Sequence, residues 1–299
     1  MGQPQKKLTD LLDRHFLARL DGLDVLSRKI LQGKLQGERR SKRRGQSAEF
    51  ADHRPYAAGD DLRFLDWNTY ARLDQLFLKL FLEEQDLSVH VLLDASGSVD
   101  EGSPPKLLAI KKLSAALSYV ALVNNNRLTI SAFADGLSGQ LADLRGRVSV
   151  GRMADFILSA DAAGMSDFEK ACRQLEATRT GSGVLIVLSD FLFKQGYQDG
   201  LRRLTSPRYD LYAIQVLSPQ ELSPPLSGDL RLLDVEDADT AEVTISAALL
   251  KAYQRNLAAY CQEIRDFCTR RGGAYVRASS ADSAEKLVLT YLRRMGLLR

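Results

Sequence analysis

Apolar residues recur along this chain with two different periods, and from residue 87 onward the two alternate. Short runs such as Leu87-Ser88-Val89-His90-Val91-Leu92-Leu93 and Val184-Leu185-Ile186-Val187-Leu188 read as strands buried on both faces. Between such runs lie longer stretches whose apolar positions fall three and four residues apart, the helical spacing. The pattern predicts strands at 87–93, 127–133, 184–189, 209–217 and 273–278, and helices near 105–123, 150–178, 197–204, 247–271 and 281–295. This order implies βαβ crossovers and a mainly parallel central sheet with helices on both faces, an α/β, Rossmann-like architecture. The first strand, nearly all apolar, belongs at its centre.

Two segments interrupt the alternation. Leu137 to Leu144 follows the turn pair Asp135-Gly136 and reads as an antiparallel edge hairpin. Leu230–Val235 and Ala241–Ser246 flank an acidic turn and read as a second hairpin. Before the sheet, Leu8, Leu11, Leu12, Phe16, Leu20, Leu23, Leu26 and Ile30 predict one or two amphipathic helices over 6–33, with a face that packs on the body or docks a partner. The expected parts are therefore 1–44, an N-terminal amphipathic helix and basic linker; 45–86, a small β-containing unit with Phe77–Leu82 as a strand; and 87–299, the sheet domain with a hairpin insertion near 229–247.

Composition narrows the class without changing this picture. The chain has 299 residues, 45% of them hydrophobic, enough for a large core. Its longest weakly polar run, Leu113 to Val123, is too short to span a bilayer, and the N-terminus carries no apolar signal region, so cytoplasmic residence is the default expectation. The three cysteines, Cys172, Cys261 and Cys268, have no metal or redox spacing and read as buried thiols. Residues 1–54 hold 13 Lys or Arg against 7 Asp or Glu, and the excess gathers in Arg39-Arg40-Ser41-Lys42-Arg43-Arg44. That run is read as a solvated linker; no aromatic residue interleaves it, which argues against nucleic-acid stacking.

The candidate chemistry lies in the turn after the first core strand. Asp94, Ser96 and Ser98 form D-x-S-x-S, one carboxylate and two hydroxyls on a tight loop, a donor set suited to a hard cation such as Mg²⁺. Three donors do not complete an octahedral shell. Two more oxygens stand at comparable places: Ser166, just before a helical stretch, and Asp190, directly after the strand 184–188. In open α/β sheets ligands bind outside the carboxyl ends of the strands, so the three segments can converge on one ion.

Asp94-Ala95-Ser96-Gly97-Ser98, then Ser166, then Asp190, resembles the metal-ion-dependent adhesion site of a von Willebrand factor A domain. That family normally carries threonine where this chain has Ser166. The resemblance implies an A-type fold and Mg²⁺, with Mn²⁺ or Ca²⁺ as alternatives, ligated by Asp94, Ser96, Ser98, Ser166 and Asp190, with a position left for a partner's carboxylate. A second resemblance is narrower. Arg54 to Asn68, with Asp60, Asp61, Arg63, Asp66 and Trp67, followed by Ala71-Arg72, is similar to the signature of the bacterial domain-of-unknown-function 58 family, as are Pro224–Asp234 and Leu292–Leu298. It implies a partnership with a MoxR-type AAA+ ATPase or with a client that the ATPase remodels. Arg54, Asp60, Asp61, Arg63, Asp66, Trp67 and Arg72 are expected either to form a packing and ion-pair network, with Trp67 as an anchor, or to present an interface.

Other chemistries fare worse. A serine elbow would need glycine where Asp94 stands, two residues before Ser96, and a histidine that the chain lacks after residue 90. An aspartate-nucleophile phosphatase would need an acid at Ser96, and no phosphate-binding G-x-x-x-x-G-K-[ST] loop occurs. The expected protein is a non-catalytic, cation-dependent interaction module. A basic N-terminal segment binding nucleic acid or an acidic surface is the alternative, and a metal-dependent hydrolase comes third.

Overall fold

Three apolar runs, Leu87–Asp94, Ser182–Ser189 and Tyr209–Leu217, are buried along seven or more residues each. Strands of that kind belong inside a sheet covered on both faces. The computed structural model, which describes residues 8–27, 49–57, 60, 62–82, 87–233 and 240–299, places them there. In chain order its elements are α1 (Arg14–Leu20), β1 (Glu49–Pro55), α2 (Trp67–Leu73), β2 (Phe77–Leu82), β3 (Leu87–Asp94), α3 (Lys106–Val123), β4 (Arg127–Ala134) and β5 (Gly136–Leu144). Then come α4 (Val150–Ser159), α5 (Phe168–Thr178), β6 (Ser182–Ser189), α6 (Gln198–Leu204), β7 (Tyr209–Leu217), α7 (Pro219–Leu222), β8 (Gly228–Leu233) and β9 (Thr240–Ile245). The chain closes with α8 (Ala247–Arg270), β10 (Ala274–Ser279) and α9 (Ala284–Lys286).

The main sheet runs β10-β7-β6-β3-β4-β5, all parallel except β5, which pairs antiparallel with β4 at the edge. Alternation along each strand makes two cores. Val89, Val91, Leu93, Val184, Ile186 and Leu188 face one, which α1, α3, α4 and the C-terminal turns close. Leu92, Leu185 and Val187 face the other, closed by α5, α6 and α8. After β3 the chain pairs first with β4 on one side and later, through β6, on the other, so the order reverses between β3 and β6. Those two strands approach closely at Gly183, where a Cβ would lie 2.1 Å from the Ser88 carbonyl oxygen. Glycine is required there.

The predicted strands and helices of the sheet domain form, as do the 137–144 edge strand and the second hairpin, here β8 with β9. Two expectations change. The C-terminal helix expected over 281–295 forms over 284–294, but its middle, Leu287–Leu292, is a π-helical turn. The helix over 6–33 reduces to a 3₁₀ turn at Leu8–Asp10 and the seven residues of α1, among the described residues. Asp13 stops the first piece and caps the second by accepting from the Phe16 backbone N–H at 2.8 Å. After Asp21-Gly22 the chain extends, and Val25 bridges to Leu298. Leu11, Leu12, Phe16, Leu20, Leu23 and Val25 all enter the first core. The apolar face is thus used on the protein's own body, and residues 8–27 belong with 87–299 rather than with a separate 1–44 segment.

Residues 33–86 make a second unit. Its described part is an antiparallel pair, β1 with β2, enclosing α2, with a bulge between Phe50 and Asp52. If α1 is part of the core, Phe16→Ala, which empties a site 4% exposed, should lower stability by about 3–5 kcal/mol in urea unfolding. A loss under about 1 kcal/mol would mean that α1 is not part of that core.

Candidate functional site

The switch point between β3 and β6 is where the oxygen donors gather. The two strands are parallel neighbours with Leu93 in register with Leu188, so their carboxyl ends emerge side by side. The Ser189 hydroxyl donates to Asp94 Oδ2 at 2.6 Å. Asp94 Oδ1 accepts from the Ser96 backbone N–H at 2.9 Å and the Ser96 hydroxyl at 2.7 Å, an aspartate-centred turn. Ser96 Oγ lies 3.1 Å from Ser98 Oγ. Three of the predicted donors are therefore in one hydrogen-bonded string.

The loop carrying Ser166 is brought alongside by its backbone. Ala163 N–H donates to the Ala95 carbonyl at 2.9 Å, Gly97 N–H to the Gly164 carbonyl at 3.0 Å, and Asp167 N–H to the Ala134 carbonyl at 2.9 Å. Half-buried Ser166 sits between these anchor points, beside the 94–98 turn. Asp190 follows β6 directly. Its Oδ1 accepts from Leu192 N–H at 3.1 Å, and its carbonyl accepts from Gln215 Nε2 at 2.7 Å.

Asp94 and Asp190 are 0% and 1% exposed. Burial pushes the Asp94 carboxyl up to about 7, and the charge of Asp190 adds to the rise, against hydrogen bonds from Ser189 and Ser96. The residue that balances the pair was not picked out from the sequence. Lys106, 1% exposed, places Nζ 2.7 Å from Asp190 Oδ2 and 2.5 Å from Glu221 Oε1. Burial would depress its ammonium, but Asp190 and then Glu221 outweigh that, and its pKa is raised. Glu221 is itself fixed by a capping box on Ser218, whose N–H donates to Glu221 Oε2 at 2.7 Å. A signal for Lys106 existed: a lysine opening an almost wholly apolar helix, where the helix dipole disfavours a cation, suggests a carboxylate partner. Glu221, 115 residues away, gave none.

The donors present fit a hard cation. Asp94, Ser96 and Ser98 would supply three oxygens, with Ser166 and Asp190 beside them and water completing the shell. Among the described residues no group of three or more His, Cys, Asp or Glu is placed to hold a metal. An ion here would therefore lean on hydroxyls and two carboxylates. His90 is removed from this chemistry: it lies four residues back along β3, roughly 13 Å at strand spacing. Burial holds it down to about 4, and its Nε2 is 3.1 Å from the Tyr209 hydroxyl.

The signature residues lie in the second unit. Arg54 pairs with Asp60 at 2.8 Å, and Asp60 also accepts from Ala57 N–H at 2.9 Å. Asp66 caps α2 through Asn68 and Thr69, and a 2.7 Å hydrogen bond to His53 is the largest cause holding its carboxyl well below the usual range. Arg63 and Arg72 are exposed. Within its own unit Trp67 is 63% exposed and edge-on to Tyr70 at 6.2 Å, while Leu65 and Leu78 are the buried apolar residues there. Asp61 and the basic run 39–44 lie outside the described residues.

A mainly parallel α/β sheet with buried oxygen-bearing side chains gathered at its switch point defines the class. The chain belongs to the family described as protein of unknown function DUF58, whose model matches residues 52–263. An uncharacterised Mycobacterium bovis protein is 28% identical over 262 residues, covering 85% of this chain and 82% of the relative. An uncharacterised Mycobacterium avium protein is 31% identical over 98 residues, 33% of this chain and 57% of the relative. Among solved structures, the conserved hypothetical protein BatB from Bacteroides thetaiotaomicron has a TM-score of 0.44 at 14% identity, covering 70% of this chain and 98% of that one. The SpRpn10 VWA domain has a TM-score of 0.41 at 9% identity, covering 68% and 93%.

Two measurements check the geometry. A carboxyl whose folded pKa lies above its unfolded value favours the folded state at low pH and loses that advantage as pH rises from the unfolded value of 3.8 through about 7. In chelator, Asp94→Asn should therefore melt several degrees above wild type at pH 8, with the gap closing by pH 4. An equal gap at both pH values would contradict the raised Asp94. Trp67→Ala should change stability by under about 1 kcal/mol, since so exposed a ring contributes little to packing; cooperative unfolding lost in the variant would contradict that.

Proposed function

We propose that this protein is a non-catalytic interaction module whose crevice at Asp94, Ser96, Ser98, Ser166 and Asp190 takes a divalent cation, Mg²⁺ in the first instance, and through it a carboxylate from another protein. The observation that carries this is the string of Asp94, Ser96 and Ser98 oxygens beside buried Asp190 at the β3–β6 switch point. Two buried like charges invite a cation, and an ion held by so few protein carboxylates keeps positions for outside oxygens. The crevice residues include no histidine or cysteine, and Lys106, kept protonated by two carboxylates, is no base for Ser96. Family resemblance points to a MoxR-type AAA+ ATPase, or its client, as the partner. No helix among the described residues is long and apolar enough to cross a membrane.

Isothermal titration of Mg²⁺ and Mn²⁺ should give saturable binding that disappears in Asp94→Ala while circular dichroism stays native. A purified MoxR-type ATPase should be retained by the immobilised protein in Mg²⁺ and released by EDTA. Titration heats unchanged in Asp94→Ala would contradict the site, and EDTA-insensitive retention would contradict the bridging role.

A further inference from the structure

Lys106 stands where an entering ion must contend with it. It is the first residue of α3, its charge lies within the positive end of that helix, and it is buried among carboxylates on two separate segments. Its hydrogen bond engages Asp190 Oδ2, so one oxygen of a candidate ligand is taken. A second cation brought to the same carboxylate is also repelled through protein rather than water, where charges act at longer range. Glu221 offers the lysine an alternative. It holds Nζ at 2.5 Å and is itself pinned by Ser218 and by α7, so Lys106 can leave Asp190 without leaving a carboxylate.

We propose that Lys106 is a tethered internal cation that holds Asp190 in the ion-free protein and keeps the divalent affinity of the crevice low, staying on Glu221 when an ion claims Asp190. This rests on the cation-binding reading above. The crevice is then a place of exchange between a fixed monocation and a free divalent one. A partner that supplies its own carboxylate shifts that exchange toward the ion, so cation and partner bind more tightly together than either does alone.

The test is titration of Mn²⁺ into wild type, Lys106→Gln and Lys106→Arg. Gln keeps a hydrogen-bond donor for Asp190 and removes the charge, whereas Arg keeps the charge. Lys106→Gln should bind Mn²⁺ at least about tenfold more tightly than wild type, and Lys106→Arg no more tightly than wild type. Equal or weaker binding in Lys106→Gln, with wild type binding normally, overturns it and leaves the cation site standing. Absence of binding in all three overturns both. Should Lys106→Gln fail to fold, Lys106→Met/Glu221→Gln, which removes one of the two carboxylates left without a cation, carries the same comparison.

Discussion

Two carboxylates buried at adjacent strand ends, Asp94 and Asp190, set the terms for everything around them. Moving even one such charge out of water costs several kcal/mol unless it is paired and hydrogen-bonded. The chain meets that cost in parts: hydroxyls of Ser96 and Ser189 and the Ser96 N–H on Asp94, the Leu192 N–H and the Lys106 ammonium on Asp190. Compensation is partial at Asp94, whose carboxyl burial still holds well above the usual carboxylate range. On the proposed reading, an incompletely neutralised site whose donors are already oriented is what a cation-dependent interaction module would use.

The fold makes the juxtaposition unavoidable. Parallel neighbours in register deliver their carboxyl ends to one edge, and the strand order reverses between β3 and β6, the kind of switch point at which open α/β sheets bind ligands. The Ser166 loop is then tied to the 94–98 turn by backbone hydrogen bonds, which fix its path whatever side chain it carries.

The sheet was legible because its strands are continuous apolar runs and its helices strongly periodic, both long enough for the period to show. Asp94, Ser96 and Ser98 were legible as a local motif, and Asp190 through its position one residue past an apolar strand. The N-terminal segment was misjudged because its leucine spacing continues through Asp13 and Gly22, where capping and extended pairing with Leu298 override helical period. Lys106 and Glu221 were missed because their pairing joins α3 to α7, a contact no local pattern records.

The most direct test of the central claim is anomalous scattering from crystals grown with Mn²⁺. The account predicts a difference peak bounded by Asp94, Ser96 and Ser98, with the Lys106 ammonium drawn away from Asp190 toward Glu221. No peak in the crevice at millimolar Mn²⁺, with the Lys106–Asp190 pair intact, would contradict it.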